Sequence, residues 1–176
     1  MAPTPPWLQE KLFERRIVFV TGRLDDALAA QAAAQITMLD ASSDAPIDVV
    51  LSSGDGTLEA AFALIDVIDA ADATIRVRCQ GQVTGPAIGV VAAADERSAS
   101  AHTTFRLSLP AIKLSGTPDQ IAALSEEHRR LVWRFHARIA QATRRAAEDV
   151  ADDMRCARWL DAREALDYGL IDAVRS

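Results

Sequence analysis

Aromatic residues make up only 5% of this 176-residue chain, and lysine is almost absent, Lys11 and Lys113 standing alone among 19 basic residues. A core therefore has to come from Leu, Ile, Val and Ala, which hydrophobic content of 49% supplies. Basic blocks are missing too: the net charge is −6, and no Lys/Arg stripe alternates with aromatics. That excludes a nucleic-acid partner, whose phosphates need a concentrated positive face. Cysteine occurs twice, at Cys79 and Cys156, with no CxxC and no histidine cluster nearby. No disulfide framework or metal site follows; two reduced, buried thiols in a cytosolic protein are expected, with no metal and no cofactor. No apolar run approaches the roughly 20 residues of a membrane span. The start, Met1-Ala2-Pro3-Thr4-Pro5-Pro6, lacks a charged leader and an apolar stretch, so a cytoplasmic location with no membrane contact is expected.

What is present reads as one α/β domain. Residues 1–11 are expected to form a flexible Pro-rich tail and residues 12–176 the domain. Arg16 to Gly22 is a β-branched and aromatic run closed by glycine, the pattern of a buried strand. Asp25-Asp26 opens an alanine-rich helix reaching about Asp40, with its carboxylates at the positive helix end. Ile47 to Leu51 is a second strand, ended by Ser52-Ser53-Gly54-Asp55-Gly56; Leu58, Ala61, Phe62, Ile65 and Ile68 then mark one face of a helix. Further strands are expected at Thr74–Cys79, Phe105–Leu109 and Leu170–Asp172, and a small-residue helix at Ala87–Ala94. Thr117-Pro118-Asp119-Gln120 is a capping box that opens a helix over 117–144, about 40 Å long and longer than this core requires. A second capping box at Asp161–Glu164 opens a helix closed by Gly169. Alternating strands and helices predict a mainly parallel sheet layered with helices.

Three segments, in order, resemble the Clp protease proteolytic subunit, a family of the crotonase-like superfamily. They are Leu12–Gly22 with Asp25-Asp26, the loop Ser52–Thr57, and Leu160–Asp172; Gly81-Gln82 falls between them in the place of the family's "GQAASMG". The resemblance implies a fold of stacked ββα units with a long protruding handle helix, the one that starts at Thr117. It also implies seven-membered rings stacked in pairs.

The same resemblance locates the catalytic positions, and the required groups are missing there. Amide hydrolysis by a serine peptidase needs a hydroxyl nucleophile, a base, an acid to orient the base, and N–H donors for the oxyanion. The nucleophile position falls on Gly85, the base position on Ser108 and the acid position on Ala157. Of the two oxyanion donors, the one at Gly56 is retained, whereas the other falls on Pro86, which has no N–H. Asp55 sets a carboxylate beside the place where negative charge would form. No catalytic residue is therefore expected, and the reading is an inactive subunit with a structural or regulatory role.

The alternative is a hydrolase with a repurposed cleft, either a crotonase-like acyl-CoA enzyme or a peptidase with a displaced nucleophile. Thr84, Ser52 and Ser53 are the hydroxyls near the loop; as a rule such groups are satisfied by backbone. His102 is the candidate displaced base, and His128 and His136, two turns apart on the long helix, read as interface or solvent residues. A nucleotide at the glycine loop is disfavoured by the absence of a Walker lysine and by Asp55 and Glu59. The partners implied are copies of the chain and active paralogues. Docking of the family's AAA+ unfoldase is expected to be weak, because the rim positions carry Asp48, Val50 and Ala70 in place of aromatics.

Overall fold

The computed structural model describes residues 5–110, 112 and 115–175. The elements in order are α1 (Pro6–Glu14), β1 (Ile17–Thr21), α2 (Asp26–Ser42), β2 (Ile47–Ser53), α3 (Leu58–Ala70), β3 (Ile75–Thr84) and α4 (Ala87–Ala93). They continue with β4 (Glu96–Ser100), β5 (Thr104–Arg106), α5 (Pro118–Thr143), α6 (Ala147–Arg155), β6 (Trp159–Asp161), α7 (Ala162–Tyr168) and β7 (Ala173–Arg175).

β1, β2, β3, β4 and β7 lie side by side and parallel. Alternation along the strands decides which face is covered. Val18 and Val20, Ile47, Val49 and Leu51, and Ile75, Val77 and Cys79 point into the core, where Ala29, Ala32 and Ile36 of α2 and Leu58, Ala61, Leu64 and Ile65 of α3 meet them. α4 is buried along its whole length. Small residues allow this, since a helix of Ala, Gly and Val can be surrounded on all sides at short interaxial distance.

β3 serves two partners in succession. Its first half pairs with β4 and its second half, from Gln82 to Thr84, with β5. Gly81, at φ +61°, lies between the halves, and the β2–β3 register slips at the same level, where Ser53 pairs with Val83. β5 then carries β6 antiparallel on its far side. This side-sheet sets the strand ends that frame the cleft.

Several expectations shift. The expected tail gives way at Pro6 to α1: proline suits the first helical turn, and Phe13 packs on the core. Residues 1–4 lie outside the described residues. β3 runs past Cys79 because glycine bends the strand without ending it. β4, with the polar sequence Glu-Arg-Ser-Ala-Ser, carries no hydrophobic signal, and β6, Trp159-Leu160-Asp161, is too short to show a period; neither is among the expected strands. The strand expected at Phe105–Leu109 starts at Thr104 and ends at Arg106. Leu170 and Ile171 are core residues in a loop, and the last strand begins at Ala173.

α5 has 26 residues and a complete capping box between Thr117 and Gln120. Its buried residues are Phe135, His136, Ile139, Ala140 and Thr143, so the first half stands clear of the domain.

Candidate functional site

Four chain segments meet at the carboxyl ends of β2, β3 and β5. Gly85 follows β3 at φ +57°, a left-handed conformation that glycine adopts without cost, and its N–H donates to the Arg106 carbonyl at 3.2 Å. A Cβ on Gly85 would sit 3.5 Å from the Ser108 carbonyl oxygen and 3.9 Å from its Oγ. The N–H of Leu107 donates to the Arg158 carbonyl at 2.8 Å, which draws the α6–β6 turn alongside. Ala157 sits in that turn, also left-handed at φ +51°. Ser108 and Ala157 line one cleft of about 630 Å³. Gly85 thus abuts Ser108, and Ser108 shares a cleft with Ala157; none of the three carries a base or a carboxylate.

The resemblance assigns the oxyanion donors to the positions of Gly56 and Pro86. Pro86 is the N-cap of α4 and offers no N–H. The N–H of Gly56 is present, and it donates to the Asp55 Oδ1 at 2.8 Å. The other carboxylate oxygen, Oδ2, pairs with Arg23. Leu24 adds two backbone bonds: its N–H donates to the Asp55 carbonyl at 2.8 Å, and its own carbonyl accepts from Thr57 N–H at 3.0 Å. A Cβ on Gly56 would come within 2.5 Å of the Leu24 carbonyl, so only glycine fits there. Asp55, expected merely beside the anion position, occupies its remaining donor.

Two of the other hydroxyls are spoken for. Thr84 is buried and its Oγ1 donates to the Gly54 carbonyl; Ser53 Oγ donates to the Asp55 carbonyl at 3.0 Å. Ser52 is half-buried beside Gly81. His102 is exposed in the turn between β4 and β5. His136 departs from its expected place. It is buried, it lines the cleft with Ser108 and Ala157, and its Nε2 has no hydrogen-bond partner among the described residues. Burial lowers the pKa of its imidazole, because the charged form loses hydration. Its burial is not legible in the sequence, because the periodicity of α5 shows which face is apolar, not where the helix leaves the core.

Of the two thiols, only Cys79 is buried, and desolvation pushes it up to about 12; Cys156 is exposed at the end of α6. No group of His, Cys, Asp or Glu among the described residues is arranged to hold a metal ion. No helix among them is long and apolar enough to cross a membrane. On the uncovered sheet face, Asp48 pairs with Arg78 at 3.6 Å and Arg76 with Glu96 at 3.0 Å.

A parallel sheet with a cleft at its strand ends, a buried small-residue helix behind the cleft and a handle helix as one wall defines a Clp-type α/β domain. The family model for Clp protease matches residues 7–176, and the chain belongs to that family. It is 32% identical over 162 residues to the ATP-dependent Clp protease proteolytic subunit of Paracoccus denitrificans, covering 91% of this chain and 81% of that one. It is 29% identical over 173 residues to proteolytic subunit 3 of Rhodococcus jostii, covering 96% and 85%. ClpP1 from Listeria monocytogenes superposes with a TM-score of 0.84 at 27% identity, over 96% of each chain.

Proposed function

We propose that this chain is a Clp-type subunit that does not hydrolyse peptides and contributes structure or regulation to a ring built from its own copies and active paralogues. The observation that carries the proposal is the contact between Asp55 and Gly56. The one donor left for an oxyanion is already bound to a carboxylate, and Gly85 stands in the place of a nucleophile. Loss of one such donor typically raises the barrier by about 3 kcal/mol, and here both are lost. With no hydroxyl at Gly85, no imidazole at Ser108 and no carboxylate at Ala157, proton transfer has no relay. The intact caps and the full handle helix support a folded, assembling subunit over a decayed one.

Ring assembly is supported by the handle helix, half of which stands free of this domain. Weak docking of an AAA+ unfoldase is supported by the Asp48–Arg78 ion pair, since a hydrophobic loop would have to desolvate both charges. A cytoplasmic site of action fits the composition.

One observation favours a second reading, a hydrolase with a displaced nucleophile: Ser108 and the unpartnered His136 border the same cleft. A crotonase-like acyl-CoA reaction is disfavoured by the same two lost donors. A fluorophosphonate probe and a fluorogenic peptide, applied to the purified chain, separate the readings. No labelling and no turnover are expected; label on Ser108 or Thr84, or turnover that scales with enzyme, would sink the non-hydrolytic reading. Native mass spectrometry of the chain alone and co-expressed with an active paralogue tests the ring.

A further inference from the structure

Among the described residues β1, β6 and β7 are the outermost strands of the sheet. An outermost strand presents unpaired N–H and C=O groups that invite another strand, and proteins blunt such edges with short length, charge, proline or a bulge. β7 is three residues long and ends in Arg175. β6 also has three residues, and its Asp161 N–H donates to Glu164 Oε2 at 2.8 Å. β1 has none of these protections. Its five residues, Ile-Val-Phe-Val-Thr, include no charge and no proline, and its register on β2 is unbroken.

Two hydrogen bonds at the ends of β1 show which way its backbone groups point. The Asp48 N–H donates to the Arg16 carbonyl at 2.9 Å, and the Gly22 N–H donates to the Ser52 carbonyl at 3.0 Å. In a parallel ladder every second residue turns both of its groups to the same neighbour. Val18 and Val20 therefore bond to β2, whereas Ile17, Phe19 and Thr21 point their N–H and C=O groups outward, where they have no partner among the described residues. The Phe19 side chain is 42% exposed. On the other face Val18 and Val20 lie under α2, which carries no charge from Ala27 to Leu39, so apolar side chains beside them would desolvate no ion. Arg15, just before β1, is exposed, and its side chain forms no hydrogen bond or ion pair among the described residues.

We propose that the outer edge of β1 is a docking site at which an extended segment of a different protein adds as an antiparallel strand. Main-chain hydrogen bonds to Ile17, Phe19 and Thr21 supply affinity, and side chains supply choice: an apolar residue opposite Phe19 and a carboxylate opposite Arg15. A second copy of the chain fits less well. Two β1 strands paired antiparallel about Phe19 would set Arg15 opposite Arg23 at both ends, and like charges facing each other across strands are unfavourable. The site uses no residue of the cleft, so it holds whether or not the chain hydrolyses peptides.

The test is hydrogen exchange at single-residue resolution on the purified full chain, with and without acetyl-Thr-Val-Leu-Val-Thr-Ser-Glu-amide, whose Leu falls opposite Phe19 and whose Glu falls opposite Arg15. At saturation, exchange at Ile17, Phe19 and Thr21 is expected to slow by at least about ten-fold, with little change at Val18 and Val20. N-methylation of the peptide residues opposite Ile17, Phe19 and Thr21 should abolish binding, and N-methylation of the two intervening valines should not. Phe19→Lys, a charge at an exposed position, should weaken binding by at least about ten-fold. Thr21→Pro removes an outward N–H and no bond to β2, and should weaken it as well. Arg15→Gln should erase the preference for Glu over Gln at the last peptide position. Absence of binding, or equal affinity of the two methylated peptides, overturns the proposal. A Glu preference that survives Arg15→Gln overturns the carboxylate assignment. Protection of Phe19 that appears without peptide and grows with protein concentration would give the edge to a second copy and overturn it too.

Discussion

The Phe135 ring occupies the space where a side chain on Gly89 would begin, with its Cε2 2.3 Å from the ideal Cβ position. Phe135 in turn meets Phe62 edge to face, with ring centroids 6.2 Å apart. This contact fixes α5 on α4 and α3 and so sets the depth of the next residue, His136, in the cleft.

Gly89→Ala is therefore expected to be destabilising although alanine is the better helix former. A methyl cannot fit without moving a fully buried ring, and overpacking of this kind typically costs about 1–3 kcal/mol. Adding Phe135→Leu should recover part of that loss. Thermal unfolding of the two variants checks this; a Gly89→Ala protein as stable as the parent would mean that α5 shifts freely.

Rebuilding the relay alone should not create a protease. The triple variant Gly85→Ser, Ser108→His, Ala157→Asp restores the missing groups but leaves Pro86 without an N–H and Asp55 on the Gly56 donor. Serine at φ +57° also costs about 1–2 kcal/mol. Adding Asp55→Gly and Pro86→Ala is expected to raise fluorogenic-peptide turnover by at least about 100-fold over the triple variant, in line with the worth of one donor. Equal rates for the two variants would show that the donors are not what limits the cleft.

Arg97 closes the C-terminal segment onto the sheet. Its Nη2 donates to Asp172 Oδ1 at 2.6 Å and its Nε to Oδ2 at 3.1 Å, while Nη1 donates to the carbonyls of Ala142 and Gly169, each at 3.2 Å. Lysine cannot reproduce that fork. Arg97→Lys is expected to cost about 2–3 kcal/mol and to loosen β7 first. Urea unfolding gives the magnitude, and hydrogen exchange at Val174 shows where the loss falls.

The sequence made the central parallel strands and the amphipathic helices legible, because Ile47–Leu51 and the α3 face are hydrophobic runs of the right period. The ordered motifs also point to Ser108 and Ala157, which line one cleft, and to Gly85, which lies against Ser108. What escaped had no such signal. β4 is polar because its pairing, not its side chains, defines it, and β3 continues past Gly81 because a bend in one strand resembles an end. The Asp55 hydrogen bond to Gly56 depends on a loop conformation, and the burial of His136 depends on where the handle departs from the core. Both are tertiary facts with no local pattern.

That burial also fixes the sign of one pH effect. His136 has a lowered pKa in the folded chain because desolvation penalises the imidazolium, so the unfolded chain binds the proton first as pH falls. The folded state is then most stable above the unfolded pKa of about 6.5, and stability declines as pH drops below it toward the folded value. His136→Asn, which keeps a polar side chain but cannot titrate, should flatten the change in melting temperature between pH 7.5 and 5.5. A parent protein whose melting temperature is as flat as the variant's would show that the ring is hydrated and not enclosed.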